Sequence, residues 1–352
     1  MDDVQRPPAR STGSLKQRRV QLPWPASRPF RILSIDGGGI RGIFPATVLS
    51  EFERRHLGGR SIADYFDLIA GTSTGGILAL GLGAGLKASE MVDLYVKRGR
   101  EIFPPPAKGL WGAVTSFWHS ARNAIFYRYD RSALERALTD VLGPRTLGTA
   151  TTRLCIPSFE GSYGEVYIYK TPHHPDFHLD GARPMVQVGL ATAAAPTFFL
   201  PLAQQGHLMV DGGVWANNPI MVGLVDALSC FDVPRHQVHV LSIGCGESDY
   251  RFGKRKLNAS GTLTWLDLVF TTMRLQSQNA LGQSRLLVGA ENVIRIDPPE
   301  LRPAIAMDDW LRATELLPAH AVAMAERFAT VVSQRFFHGL AEPTNPSASD
   351  RM

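Results

Sequence analysis

Two stretches of the chain repeat one pattern of apolar run, glycine loop and helical spacing, and that repetition narrows the fold more than any other feature. FRILSI (30–35) leads into DGGGIRG (36–42) and then IFPATVLSEFERRHLGG, whose periodicity is helical and closes on a glycine pair. SIADYFDLIA (61–70) leads into GTSTGG (71–76) and then the apolar helical run ILALGLGAGL. Two strand–loop–helix units in succession predict an α/β fold with a largely parallel sheet. Functional loops in such sheets gather at the carboxyl ends of the strands, so both glycine loops are expected there.

Further along, ASEMVDLYVKRGREIF and DRSALERALTDVLG have helical spacing, whereas TRLCIPSFE, GEVYIYK, HLMV and HQVHVLSIG read as strands. Beyond about residue 260, TLTWLDLVFTTMRLQSQNALGQSRLLVG and DDWLRATELLPAHAVAMAERFATVVSQRFF read as long amphipathic helices, the second interrupted or bent at Pro318. A flexible leader is expected over 1–28, a single domain over 29–340 with its helical part over about 260–337, and a disordered tail over 341–352. Segment 104–129 carries three prolines and then Trp111, Phe117, Trp118, Phe126, Tyr127 and Tyr129. It is either a buried cap over the core or a mobile, lipid-facing lid.

Cys155, Cys230 and Cys245 are an odd number without metal-ligand spacing, which speaks against a disulfide framework and for a reducing, cytoplasmic setting. The first residues lack the positive start and apolar core of a signal peptide. No window approaches the ~18 uninterrupted apolar residues of a membrane span, so any membrane contact is expected to be peripheral. A net charge of +5 and a pI of about 9.2 suit an anionic lipid surface or a nucleotide, but such a surplus is common in proteins that bind neither.

The chemistry concentrates in three places. GTSTG places Ser73 between Gly71 and Gly75 after a strand and before a helix, the nucleophile-elbow pattern in which small neighbours permit a tight turn. A serine of this kind needs a base. His173, His174, His178, His207, His236 and His239 offer no convincing triad setting, and the TPHHPDFH cluster lacks the carboxylate-supported i, i+4 pair of a metal site. HLMVDGGVWANNP instead presents Asp211 at a strand end beside Gly212, where a carboxylate could take the serine proton directly, although an Asp-Gly pair is also an ordinary turn. Asn217 and Asn218 would organise that turn.

DGGGIRG supplies consecutive backbone N–H groups at a helix start, suited to an anion. It fits neither the Walker A nor the dinucleotide pattern, so with a serine elbow nearby an oxyanion hole is the better account. Arg41 offers a fixed charge beside it, to steady the loop, hold a phosphate or pair with a carboxylate.

DGGGIRG, GTSTG, ATAAAPTFFLP (191–201) and DGGVWANNP (211–219), in this order, resemble the patatin-like phospholipase family over residues 30–245. The resemblance implies a three-layer α/β/α sandwich with a mostly parallel central sheet. It also implies a Ser73–Asp211 dyad, an oxyanion hole of Gly37, Gly38 and Gly39, and metal-free, cofactor-free hydrolysis of phospholipid acyl esters. The overall organisation is similar to that of bacterial antiphage effector phospholipases of the CBASS type. That likeness implies activation by a cyclic dinucleotide such as cyclic GMP-AMP, a homo-oligomer acting at the inner face of the cell membrane, and no DNA or RNA partner. RFGKRK, with Arg251, Lys254, Arg255 and Lys256, and the polar positions Gln276, Gln278 and Asn279 mark the neighbourhood where a nucleotide would bind, unless this is a solvated basic loop. The alternatives are a constitutive patatin-like esterase and a non-catalytic nucleotide-sensing membrane module.

Overall fold

The computed structural model describes residues 19–104, 128–246 and 268–342. Its strands are β1 (Phe30–Ile35), β2 (Leu68–Gly71), β3 (Arg153–Glu160), β4 (Glu165–Lys170), β5 (Leu202–Gln204), β6 (His207–Asp211), β7 (Val238–Ile243) and β8 (Val293–Ile296). They form one sheet in the order β5-β6-β3-β2-β1-β7-β8, with β4 paired to β3. The central run from β3 to β8 is parallel, and β4, β5 and β6 are antiparallel additions at one side.

The longer helices are α1 (Ile43–His56), α2 (Thr74–Gly83), α3 (Ala88–Asp93), α4 (Ser132–Leu142), α5 (Met185–Thr192), α6 (Ile220–Cys230), α7 (Leu268–Val288) and α8 (Trp310–Phe336). They cover both faces of the sheet, which is why FRILSI carries no polar alternation: all six residues are buried. Side chains still divide by parity. Leu33, Ile35, Ile69, Leu241 and Ile243 join the core beneath α1 to α5 and α8, while Phe30, Ile32, Leu68, Ala70, Val238 and Val240 join a second core against α6 and α7. This is the α/β fold with a largely parallel sheet that the strand–loop–helix repeats predicted, in the α/β/α layering that the family resemblance implied.

The one cation within β1 explains how the C-terminal helix docks. Arg31 is 2% exposed, and its Nη1 donates to the carbonyl oxygens of Phe336, His338 and Gly339 at 2.8, 3.0 and 2.8 Å. Those carbonyls lie at and beyond the end of α8, where orphan acceptors and the negative end of the helix dipole favour a cation.

Three expectations change. Residues 19–28 are not a loose leader: Leu22 bridges to Phe231, and Trp24 packs on Phe30 and Phe231 at ring distances of 4.6 and 5.5 Å. The strand expected over 61–70 is confined to Leu68–Gly71, because Ser61 Oγ accepts from Ala63 N–H and starts a 3₁₀ turn over Ile62–Tyr65. Helix α8 runs on through Pro318 without interruption. Most of the aromatic segment, 105–127, and the whole of RFGKRK lie outside the described residues. No helix among the described residues is long and apolar enough to cross a membrane.

Candidate active site

Ser73 sits between the end of β2 and the start of α2 with φ 55° and ψ −122°, a backbone region that costs a non-glycine residue about 1–3 kcal/mol. Close packing holds it there. A Cβ on Gly71 would lie 2.2 Å from the Gly75 carbonyl oxygen, and one on Gly75 would lie 2.2 Å from that of Ile35, so no larger residue fits either flank. Ser73 N–H donates to Thr192 Oγ1 at 3.0 Å, and Thr192 Oγ1–H donates in turn to the Pro157 carbonyl at 2.6 Å. Thr192 belongs to the ATAAAP stretch, whose part in fixing the elbow no local pattern reveals.

Asp211 reaches the same edge by a different route. The central strands run upward to it, while β6 is antiparallel to β3 and stops there, with Asp211 opposite Ser158. Asp211 N–H donates to the Ala194 carbonyl at 3.0 Å, and Gly213 N–H donates to Asp211 Oδ1 at 2.7 Å. The Ser73 side chain comes near enough to the Asp211 carboxyl to favour its ionised form. Burial pushes the Asp211 carboxyl up to about 7, against the opposing pull of Ser73 and Gly213. Both side chains belong to residues less than a tenth exposed.

A seam of hydrogen bonds ties the Asp211 turn to both glycine loops. Thr72 Oγ1–H donates to the Ala216 carbonyl at 2.6 Å, and Gly37 N–H donates to that of Asn217 at 3.0 Å. Asn218 Oδ1 accepts from Ile220 N–H at 3.0 Å, so the two asparagines organise the turn as expected from their chemistry. Gln276 flanks them from α7: its Oε1 accepts from Asn218 N–H at 3.3 Å and its Nε2 donates to the Asn218 carbonyl at 3.4 Å. The sequence grouped Gln276 with a nucleotide site; here it braces the carboxylate turn.

The glycine loop differs from expectation in one respect. The Gly37 amide is committed to Asn217, whereas the Gly38 and Gly39 amides donate to no acceptor among the described residues. Gly39 has φ 59°, and a Cβ there would lie 2.3 Å from the Met307 carbonyl oxygen, which also accepts from Ile40 N–H at 2.8 Å. Arg41 Nε donates to the Gly38 carbonyl at 3.2 Å, steadying the loop. Cys245, from the exit of β7, packs behind Gly38: its Sγ–H donates to the Asp36 carbonyl at 3.3 Å, and burial pushes the thiol up beyond ordinary titration.

In front of Ser73 opens a narrow cleft lined by Ile40, Ile77, Ile102, Leu134, Phe198 and Phe199 among others, with Met307 at one wall. Its lining is almost wholly apolar and contains no histidine. Tyr129 backs that wall, edge-on to Phe103 at 5.4 Å and stacked on Phe198 at 6.2 Å, and its hydroxyl donates to Asp308 Oδ2 at 2.9 Å.

The histidines serve elsewhere. His173 Nε2 lies 2.7 Å from Asp226 Oδ2, Lys170 Nζ bonds the other carboxylate oxygen, and Cys155 lies close enough to complete a metal-sized cluster. Although burial opposes it, His173 and Lys170 hold Asp226 well below the usual carboxylate range. The cluster is therefore a satisfied ion-pair network, assembled from positions that no sequence spacing links. His207 Nδ1 lies 3.3 Å from Glu160, and burial holds His239 down at about 4.

A strained serine next to a buried carboxyl, with two loop amides that meet no acceptor among the described residues and an apolar cleft in front, can carry acyl transfer. Residues 33–224 match the family described as "Patatin-like phospholipase". A "cGAMP-activated phospholipase" of Escherichia coli (strain TW11681) is 34% identical over 312 residues, covering 83% of this chain and 82% of that protein. Proteins of the same description from Pseudomonas aeruginosa (strain BWHPSA011 / Pa011) and Vibrio cholerae (serotype O1, strain El Tor Inaba N16961) are 40% and 37% identical, over 61% and 64% of this chain and 62% and 67% of theirs. With the match spanning more than half of its length, and a relative above 30% identity aligned over most of both chains, this chain belongs to the patatin-like phospholipase family.

Proposed function

We propose that this chain hydrolyses the fatty-acyl esters of membrane phospholipids through an acyl-Ser73 intermediate. The observation that carries the reading is a strained Ser73 that lines an apolar cleft and has the buried Asp211 carboxyl beside it. The acyl chain lies in that cleft and the ester carbonyl meets Ser73. As Oγ attacks the carbonyl carbon, Asp211 takes its proton, and the oxyanion is received by the amides of Gly38 and Gly39 rather than by all three loop glycines. The lysolipid alkoxide leaves with the proton from Asp211. Water then gives up a proton to Asp211 as it attacks the acyl-serine, releasing the fatty acid and restoring Ser73. A base held at about 7 is poised near neutral pH, where it is substantially ionised yet still able to return a proton.

Activation by a cyclic dinucleotide such as cyclic GMP-AMP belongs to the same proposal. It is supported by the description shared by the three bacterial relatives. In that setting the enzyme attacks cell-membrane phospholipids from the cytoplasmic face as an antiphage response, working as a homo-oligomer with only peripheral membrane contact.

The test measures fatty-acid release from phosphatidylethanolamine–phosphatidylglycerol vesicles, with cyclic GMP-AMP present, by the wild type, Ser73→Ala and Asp211→Asn. Turnover lost in both folded variants is expected; turnover retained by Ser73→Ala overturns the reading. A rate that does not rise when a short-chain lipid passes from monomer to aggregate would favour a small-ester hydrolase instead.

A further inference from the structure

We propose that Arg295 is the positioning residue of the glycine loop, holding it through Asp36, so that the C-terminal third of the chain sets catalytic geometry as well as covering the sheet. The inference rests on the reading of Ser73 as nucleophile and of the Gly38–Gly39 amides as the oxyanion site.

β8 pairs in parallel with β7, with Arg295 in register with Ser242, and β7 in turn pairs with β1. From this edge position the Arg295 guanidinium crosses β7 to the residue that follows β1. Nη1 donates to Asp36 Oδ1 at 3.0 Å and Nη2 to Asp36 Oδ2 at 2.6 Å, a two-pronged fork on one carboxylate. Nη1 also donates to Ser242 Oγ at 2.7 Å, while Nε and Nη2 bond Asp297 at 2.7 and 2.8 Å, so the plane of the guanidinium is fixed on every side. The two side chains are only 8% and 4% exposed. Burial works against the charge on Arg295, but Asp36 and Asp297 hold it firmly protonated.

The exit of β7 is shaped for this crossing. A Cβ on Gly244 would lie 1.8 Å from Asp297 Oδ1 and 2.3 Å from Arg295 Nη2. Asp36 itself is tied by its N–H to the Ile243 carbonyl at 3.0 Å, and its carbonyl receives the Cys245 thiol. With the backbone pinned on one side and the carboxylate forked on the other, the residue before the three glycines has no freedom to rotate, and the direction of the Gly38 and Gly39 amides follows from it. The fork also neutralises a carboxylate two residues from Gly38, which would otherwise oppose negative charge developing at those amides.

Arg295→Lys keeps the charge but not the fork, and Asp36→Asn/Arg295→Gln removes the buried charges together, so at least one of the two is expected to fold. Each is assayed for kcat and KM on the same vesicles with cyclic GMP-AMP, active sites being counted by fluorophosphonate labelling of Ser73 run to completion. Misdirection of a reacting group by about an ångström costs roughly 100-fold. The expected result is therefore a kcat per labelled site lowered ~10- to 100-fold in each variant that folds, with KM within about twofold of wild type. A wild-type kcat per labelled site in either variant, with only thermal stability reduced, would overturn the proposal and leave Arg295 a structural ion pair. Turnover persisting in Ser73→Ala would instead remove the reading beneath it.

Discussion

Replacing Asp211 by asparagine separates two consequences of burying a carboxylate beside a serine. The folded chain holds this carboxyl at about 7 against an ordinary 3.8, and each pH unit of that gap corresponds to about 1.4 kcal/mol. Between pH 4 and 7 the folded protein keeps a proton that the unfolded chain has released, so the group's contribution to stability falls as pH rises. Above 7 both states are ionised and the full penalty, about 4 kcal/mol, is in force. Asparagine has nearly the shape of the neutral acid and can still accept from Gly213 N–H, but it never ionises. Urea unfolding at a series of pH values should therefore show Asp211→Asn matching the wild type near pH 4 and exceeding it by about 4 kcal/mol at pH 8. Turnover in the same variant should fall by about 10²- to 10⁴-fold, because the amide cannot take the serine proton. Equal stability of the two proteins at pH 8 would refute the electrostatic argument, even if activity were lost.

Other perturbations follow from the same geometry. Wild-type kcat/KM should rise with pH on an acid limb centred near 7, set by ionisation of Asp211; a limb near 4 would mean the carboxylate is not shielded as the structure has it. Thr192→Val removes the acceptor for Ser73 N–H, and leaving that buried donor unsatisfied should cost about 1–3 kcal/mol in thermal or urea unfolding together with a drop in kcat. Ile77→Trp narrows the cleft in front of Ser73, so release from lipids with long acyl chains should fall more than release from short-chain lipids, read from a chain-length series. Arg31→Met strips the carbonyl cap from the end of α8, and hydrogen exchange should show faster opening of the last turns of that helix.

What the sequence disclosed is what folds locally. Ser73 announces itself because the elbow is built within five residues, and Asp211 because its strand, its own side chain and the glycines after it are contiguous. The parallel sheet was legible because strand, loop and helix follow one another twice in the first hundred residues. Positions that act across the fold left no such trace. Arg295 lies in the unremarkable strand VIRI, and its fork to Asp36 exists only because β8 docks beside β7 and β7 beside β1. The spending of the Gly37 amide on Asn217 joins residues 180 apart in the chain, and nothing in DGGG distinguishes the glycine whose amide is used from the two whose amides meet no acceptor among the described residues. Residues 19–28 looked loose because they are polar and rich in proline, yet Trp24 finds two aromatic partners that lie beside one another only after folding.

The central claim is a Ser73-dependent lipase under nucleotide control. Its most direct test is the release of fatty acid from phosphatidylethanolamine–phosphatidylglycerol vesicles by the purified protein, with and without cyclic GMP-AMP, against Ser73→Ala. The account predicts release by the wild type that rises sharply with the cyclic dinucleotide and is absent from Ser73→Ala under every condition. Release by Ser73→Ala equal to that of the wild type would contradict the assignment of the nucleophile, and wild-type release indifferent to a full panel of cyclic nucleotides would contradict the switch.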